Sequence, residues 1–173
     1  LEFRRVLFRS GGHSGGDGLS HGNAPISTAT IPPLEILEAA YPVRFVQWTL
    51  RPDSGGPGQH RGGLGAVYQI ELLEESAEAF IFGERGVSPP KGIAGGGDAA
   101  ANRFSYQTQG QWQQPPMVSK MLGIRLNKGD QVRLETPGGG GWGDARLRDP
   151  KQQAKDRAMG YVTAQGDRAG GAA

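Results

Sequence analysis

Hydrophobic and polar residues alternate along much of this chain, in short runs separated by glycine and proline. The clearest run is 66–72, where every second residue (Ala66, Tyr68, Ile70 and Leu72) is apolar or aromatic. A period of two is typical of a strand that is buried on one face. Further strands are predicted at 43–50, 79–82, 103–108, 111–114, 118–126 and 131–136.

Two segments depart from this pattern and predict helices. Pro33 opens the first, at 33–40, and Pro42 ends it; a second is predicted at 151–160. About seven short strands with turn-rich connections predict a mainly β (α+β) fold. We expect an antiparallel β-sandwich or barrel-like core, two short flanking helices and long glycine-rich loops.

Two strand pairings are expected from the spacing of the strands. The strand at 79–82 should pair antiparallel with the preceding strand across the acidic turn 74–78. The strands at 103–108 and 111–114 should form a hairpin that turns at Gly110. No internal repeat is visible, and a length of 173 residues predicts a single domain.

The glycine-rich stretch 51–65 carries four charged or titratable residues, Arg51, Asp53, His60 and Arg61. Its glycines are expected to supply positive φ angles and to let other groups approach the main chain closely. In one interpretation Asp53 orients His60, or pairs with Arg61, beside a bound amide or carboxylate. In the other, an aspartate–arginine clamp closes the loop on itself.

Two further groups of residues are candidates for chemistry. Glu84 and Arg85 follow an apolar strand and form either an ion pair at the strand end or part of a ligand site. His13, Asp17 and His21 are spaced four apart in a glycine-rich loop. A loop could gather them around a metal ion, whereas the alternative is that they are solvated loop residues.

The segment 138–143 satisfies the pattern GxGxxG but lacks the context of a dinucleotide site. Pro150 interrupts the next segment, where a long helix would be needed, and no βαβ unit surrounds it. We expect a close-packed turn in which Trp142 fills the core, or a main-chain lining of a substrate channel. Ser54 and Ser88 lie outside any nucleophile motif. Surface or helix-cap positions are predicted for Arg146, Arg148 and Asp149.

Composition narrows the function classes. The 173 residues include 30 glycines and 12 prolines but no cysteine, so disulfides and thiolate sites are excluded. The net charge of +2 is carried by residues 1–10, which leaves no charge signal for nucleic acid or membranes. No apolar run is long enough to span a bilayer. A cytoplasmic location is expected.

Residues 1–10 are expected to be an artefact. The sequence from Arg4 to Ser10 back-translates readily into a sequencing adapter, and its apolar run is too short for a signal peptide. Residues 11–163 are expected to form the domain proper. Residues 164–173, rich in glycine and alanine, are expected to be a disordered tail.

Several blocks together resemble one known family. RPDSGGPGQHRGGLG at 51–65, Glu84-Arg85, PPKGI at 89–93, Gly129-Asp130 and TPGGGGWGD at 136–144 are similar to the C-terminal part of the hydantoinase B/5-oxoprolinase family. The blocks occur in the family's order from residue 11 to about residue 163.

This resemblance implies a piece of the B-type subunit of an ATP-dependent cyclic amide hydrolase that opens hydantoin or 5-oxoproline rings. A partner A-type subunit would bind ATP and Mg²⁺ and phosphorylate the ring carbonyl oxygen. Any divalent metal site of the family would lie in the upstream region, so these residues alone should be inactive. Related acetone and acetophenone carboxylases, and a non-catalytic assembly module, remain alternatives.

Overall fold

A computed structural model describes the backbone of residues 2–3 together with residues 10–22 and 32–166. Most of residues 1–10 and 167–173 lie outside the described residues, so the expectations of an artefact and of a disordered tail stay predictions. The described elements, in chain order, are β1 (Glu2–Phe3), α1 (Leu34–Ala40), β2 (Val43–Leu50), β3 (Ala66–Leu72), β4 (Ser76–Phe82), β5 (Arg103–Thr108), β6 (Gln111–Gln113), β7 (Lys120–Asn127), β8 (Gln131–Glu135) and α2 (Pro150–Ala158).

The strands form two sheets that face each other. One has five antiparallel strands in the order β2-β3-β8-β5-β6. The other has the order β1-β4-β7, in which β7 is antiparallel to β4 and β1 is parallel to it. The mainly antiparallel sandwich is therefore confirmed, and the described strands do not close into a barrel. Its core contains Val43, Ile70, Leu72, Ala79, Ile81, Phe104, Ile124, Leu126 and Val132.

The predicted pairing of the strand at 79–82 with the strand at 66–72 is wrong. Strands β3 and β4 lie in different sheets, because the connection at 73–75 carries the chain across the sandwich. Both strands bury alternate residues in the same core, for example Ile70 from one side and Ile81 from the other. The predicted hairpin between β5 and β6 is confirmed, and its turn residues Gln109 and Gly110 have φ of 53° and 78°.

Beside the sandwich, four extended segments pack main chain against main chain; we call residues 10–18, 55–65, 91–99 and 138–143 the glycine bundle. Hydrogen bonds join all four segments, for example from Gly12 N–H to the Gly140 carbonyl (2.9 Å) and from Gly56 N–H to the Gly139 carbonyl (2.8 Å). Segment 91–99 joins through Gly141 N–H to the Gly97 carbonyl (2.9 Å). The bundle is thus held by peptide groups.

The glycines of 51–65 are needed for close approach and not for unusual backbone angles. None of them has a positive φ; the residue of this stretch with a positive φ is Asp53, at 56°. A Cβ on any of these glycines would come within 3.0 Å of a backbone atom, which belongs to Gly62 of the same stretch for Gly55 and to another segment for the others. The expectation of positive φ is therefore wrong for this stretch, whereas the expectation of close main-chain approach is confirmed.

Gly62→Ala should destabilise the fold by about 3 kcal/mol or more, because its Cβ would collide with the main chain of Gly139. Gly16→Ala is the matched control: it lies in the same bundle, and its Cβ would meet only a His13 side-chain atom, at 3.9 Å. The control should change stability by less than about 0.5 kcal/mol. Urea denaturation of both variants measures the difference, and equal losses would refute the steric argument.

Candidate functional site: an arginine–aspartate cluster on the glycine bundle

Two arginines and two aspartates meet against one side of the glycine bundle; we call Asp17, Arg61, Arg148 and Asp156 the charged cluster. Arg148 precedes the N-cap of α2. It donates to Asp17 from both Nη groups, from Nη1 to Oδ1 at 2.8 Å and from Nη2 to Oδ2 at 2.7 Å. The same guanidinium donates to Asp156 Oδ2 from Nη2 at 2.7 Å and from Nε at 3.2 Å. One arginine therefore joins the first bundle segment to α2.

Arg61 completes the charged cluster from inside the glycine-rich stretch. Its Nε lies 3.4 Å from Asp156 Oδ2, and its backbone N–H donates to Asp17 Oδ1 at 2.8 Å. Its Nη1 donates to the Gly62 carbonyl at 2.6 Å, and its Cζ lies 5.4 Å from the centroid of the Tyr161 ring. The Arg61 guanidinium is thus enclosed by a carboxylate, a carbonyl and an aromatic ring.

Burial and pairing fix the charge state of the charged cluster. The side chains of Arg61, Arg148 and Asp156 are 7%, 8% and 6% exposed, and that of Asp17 is 27% exposed. Burial raises the pKa of Asp17, but hydrogen bonds and attraction from Arg148, with a smaller contribution from Arg61, outweigh it and lower the pKa overall. The hydrogen bond to Asp17 raises the pKa of Arg148 in spite of burial. All four charges compensate one another, which favours a structural clamp.

The predicted pairing of Asp53 with His60 or Arg61 is wrong. Asp53 accepts hydrogen bonds from Thr163, from N–H at 2.8 Å and from Oγ1 at 2.5 Å, and its own N–H donates to the Tyr161 carbonyl. An aspartate–arginine clamp does close this loop, but its carboxylates come from Asp17 and Asp156. Asp53 instead fastens the segment that comes after α2.

The remaining candidates of the glycine-rich stretch and of 84–85 contact residues outside the charged cluster. The imidazole of His60 lies against the indole of Trp142, with ring centroids 5.6 Å apart. Glu84, whose side chain is 73% exposed, pairs with Lys120 at 2.8 Å, and this hydrogen bond lowers its pKa. Arg85 is exposed and has a φ of 64°. The structure therefore does not gather Asp53, His60, Arg61, Glu84 and Arg85 into one site.

The three candidate metal ligands are also separated. His13 is exposed, and its Nδ1 accepts from Gly15 N–H at 3.1 Å. Asp17 belongs to the charged cluster, and His21 packs against Trp48 and Tyr68, whose hydroxyl lies 2.8 Å from His21 Nε2. Across residues 10–22 and 32–166, no group of three or more histidine, cysteine or acidic side chains could hold a metal ion.

A nucleotide phosphate does not fit the segment 138–143. At Gly138 to Gly141 the space that a Cβ would need is filled by main-chain atoms of neighbouring segments. The segment leads into a single 3-10 turn at Ala145–Leu147 and not into the long helix that a dinucleotide fingerprint requires. Trp142 is only half-buried and lies outside the sandwich core, so the prediction that it fills the core is wrong.

Several structural residues were missed or misplaced by the sequence analysis. Arg148 was predicted on the surface, and Asp156 belongs to a helix in which it is the only buried residue. The prediction of a helix cap is confirmed for Asp149, which accepts from Lys151 N–H at 2.8 Å. Ser54 is fully buried and bridges the ends of the glycine-rich stretch, donating to the Arg51 carbonyl and accepting from Gly65 N–H. A buried acid in a polar helix leaves no periodic signal.

Comparison with known proteins places the chain in a family. The profile of the hydantoinase B/oxoprolinase family matches residues 7–145. The chain therefore belongs to the hydantoinase B/oxoprolinase family, as the motifs at 51–65 and 136–144 indicated. In the part of the chain that the structure describes, no helix has the length and apolar character to cross a membrane.

Individual relatives match most of this chain, but the match covers only a small part of each relative's own length. The chain is 31% identical to the caprolactamase subunit beta of Pseudomonas jessenii over 142 residues, 78% of this chain and 24% of that protein. It is 33% identical to the 5-oxoprolinase of Saccharomyces cerevisiae over 109 residues, 63% of this chain and 8% of that protein. A nucleotide-free structure of acetone carboxylase matches with a TM-score of 0.74 and 23% identity over 88% of this chain and 24% of that chain, which shows a common fold. The chain thus spans a quarter or less of these proteins.

Acidification should remove the contribution of Asp17 to the free energy of unfolding. Because the pKa of Asp17 is lowered from 3.8 in the folded protein, its stabilising contribution is present above about pH 4 and is lost as pH falls through the lowered value. Asp17→Asn should reduce the free energy of unfolding at neutral pH by about 1–2 kcal/mol, with solvent screening included. The loss relative to wild type should shrink at acid pH.

Urea titrations from neutral pH down to about pH 3 measure this difference. Glu35→Gln, at an exposed position in α1, is the matched control for loss of one carboxylate. A gap between wild type and Asp17→Asn that stays constant over the whole range would contradict the assignment.

Proposed function

We propose that this chain is the glycine-bundle module of a B-type subunit of an ATP-dependent cyclic amide hydrolase. The observation that carries the proposal is the family match over residues 7–145, since it includes all four segments of the glycine bundle. The ring substrates are of the hydantoin, 5-oxoproline or lactam class, as the names of the relatives suggest. Residues 11–163 are the extent of the family domain in this proposal.

The module's contribution in this proposal is to hold main chain rigidly and not to supply the reacting groups. Asp53, Arg61 and Glu84 are engaged in pairs with Thr163, Asp156 and Lys120, respectively. The charged cluster is electrically balanced, and the bundle has no room for a phosphate group. We therefore assign ATP and Mg²⁺ to an A-type partner subunit. The assembly would be a cytoplasmic hetero-oligomer.

A ketone carboxylase subunit is the second candidate function. The fold shared with acetone carboxylase favours it, although at 23% identity that likeness shows the fold alone. The two functions predict different co-substrates, because carboxylation needs bicarbonate whereas ring opening needs water. A non-catalytic assembly module is the third candidate.

The proposal predicts ATP-dependent ring opening by the intact assembly. The reading frame on both sides of residues 11–163 is recovered from the source DNA and co-expressed with its neighbouring gene for an ATP-binding subunit. Hydantoin, 5-oxoproline and caprolactam are supplied with ATP, and ring-opened product is measured by mass spectrometry. Product that requires ATP but not bicarbonate supports the hydrolase; ketone consumption that requires bicarbonate supports the carboxylase instead.

Two variants separate catalysis from assembly in the same assay. Because the module supplies no reacting group in this proposal, His60→Gln should leave turnover per folded assembly unchanged; a loss of turnover at an unchanged melting temperature would instead place His60 at the substrate. Asp53→Asn should lower the melting temperature, because Asp53 fastens the segment at 161–166. An assembly that folds and binds ATP yet converts none of these substrates would refute the enzyme proposal.

A further inference from the structure

We propose that α2 and the turn after it, residues 150–166, form a strap that opens as one unit while the sandwich and the glycine bundle stay folded. This inference is independent of the proposed function. It concerns access to the guanidinium of Arg61, since Asp156 and Tyr161 of the strap cover it.

The strap lacks the apolar anchoring that normally holds a surface helix. Asp156 is the only buried residue of α2, and Met159, at its end, is 57% exposed. Tyr161 and Val162 are half-buried and are the apolar contacts that the strap makes after the helix. Segments with few buried apolar contacts open at a lower free energy than the core of the same protein.

Two sets of polar contacts with other described residues help to fasten the strap. In the first, Asp156 accepts from Arg148 at 2.7 Å and lies 3.4 Å from Arg61. In the second, Asp53 accepts from Thr163 at 2.8 Å and 2.5 Å. Among the described residues, a single main-chain hydrogen bond joins the strap to the glycine-rich stretch 51–65, from Asp53 N–H to the Tyr161 carbonyl at 3.0 Å.

Opening leaves the rest of the charged cluster intact. Arg148 keeps its two hydrogen bonds to Asp17, and the Arg61 N–H keeps its bond to the same carboxylate. The bundle keeps every main-chain hydrogen bond among its four segments. The change is that Arg61 loses Asp156 and the Tyr161 ring and keeps only Asp17, at 4.0 Å from its Nη2, so its guanidinium becomes accessible to an incoming anion.

Hydrogen exchange of the full chain, followed by mass spectrometry, tests the strap directly. In the wild type, amides of 150–166 should exchange together and well before those of β3 and β8. Asp156→Asn, which removes the charge and keeps the shape, should speed exchange in 150–166 by at least about tenfold and leave β3 and β8 unchanged. Asp98→Asn, at an exposed ion pair with Lys91, is the matched control and should change neither region.

Reaction with phenylglyoxal provides a second readout. With the strap closed, Arg61, 7% exposed, should react far more slowly than Arg146, 73% exposed, and Asp156→Asn should raise the Arg61 rate alone of these two. Wild-type exchange of 150–166 as slow as that of β3 would overturn the proposal even if the variant fails to fold. Equal acceleration of all regions in Asp156→Asn would overturn it as well, because the strap would then open only by global unfolding.

Discussion

The close approach of four main-chain segments is the constraint on which the rest of this structure depends. Peptide groups of the glycine bundle hydrogen-bond across distances that leave no room for a side chain. A bundle of this kind buries few apolar side chains of its own, Leu64 and Ala99 among them, so burial of hydrophobic side chains contributes little to holding its segments together. The adjoining sandwich stabilises it as well, because strands β2 and β3 flank the stretch 51–65 that contains one bundle segment.

The contacts at the outside of the bundle result from the same constraint. Between glycines, the side chains that remain are few, and those of Asp17 and Arg61 are charged. They bind α2 through Arg148 and Asp156, while Arg51 donates to the Ala101 and Thr136 carbonyls at 2.7 Å and 3.1 Å, at the end of the sheet where β2 finishes. Charged side chains therefore do at the surface of the bundle what apolar side chains do between the sheets.

The sequence predicts the strands well and their partners less well, for a physical reason. Alternation identifies which face of a strand is buried, and it correctly marks Ile70 and Leu72 as core residues. It carries no information on whether the next strand joins the same sheet or crosses to the facing one, because either choice buries the same residues. The pairing of β4 with β7 depends on residues far apart in the chain, Ala79 and Ile124 among others.

The candidate site shows a second limit of the same kind. The motifs at 51–65 and 136–144 identify the family, because dense glycine is a local property of sequence. The charged cluster is not local: Asp17 and Arg148 are separated by 131 positions, and nothing near either residue distinguishes it from a solvated charge. Proximity in sequence suggested Asp53 as the partner of Arg61, whereas the fold brings Asp17 and Asp156 there.

The buried set of four charges also fixes the relative position of the segments that carry it, which apolar packing would not do. Taking a carboxylate or a guanidinium out of water is costly unless geometry and hydrogen bonds compensate it. Here, Arg148 meets Asp17 with two parallel bonds, which fixes both the distance and the orientation of the segments they belong to. A hydrophobic contact would tolerate sliding between smooth glycine segments. The paired charges fix the register, and loss of any single member would leave the buried set with one uncompensated charge.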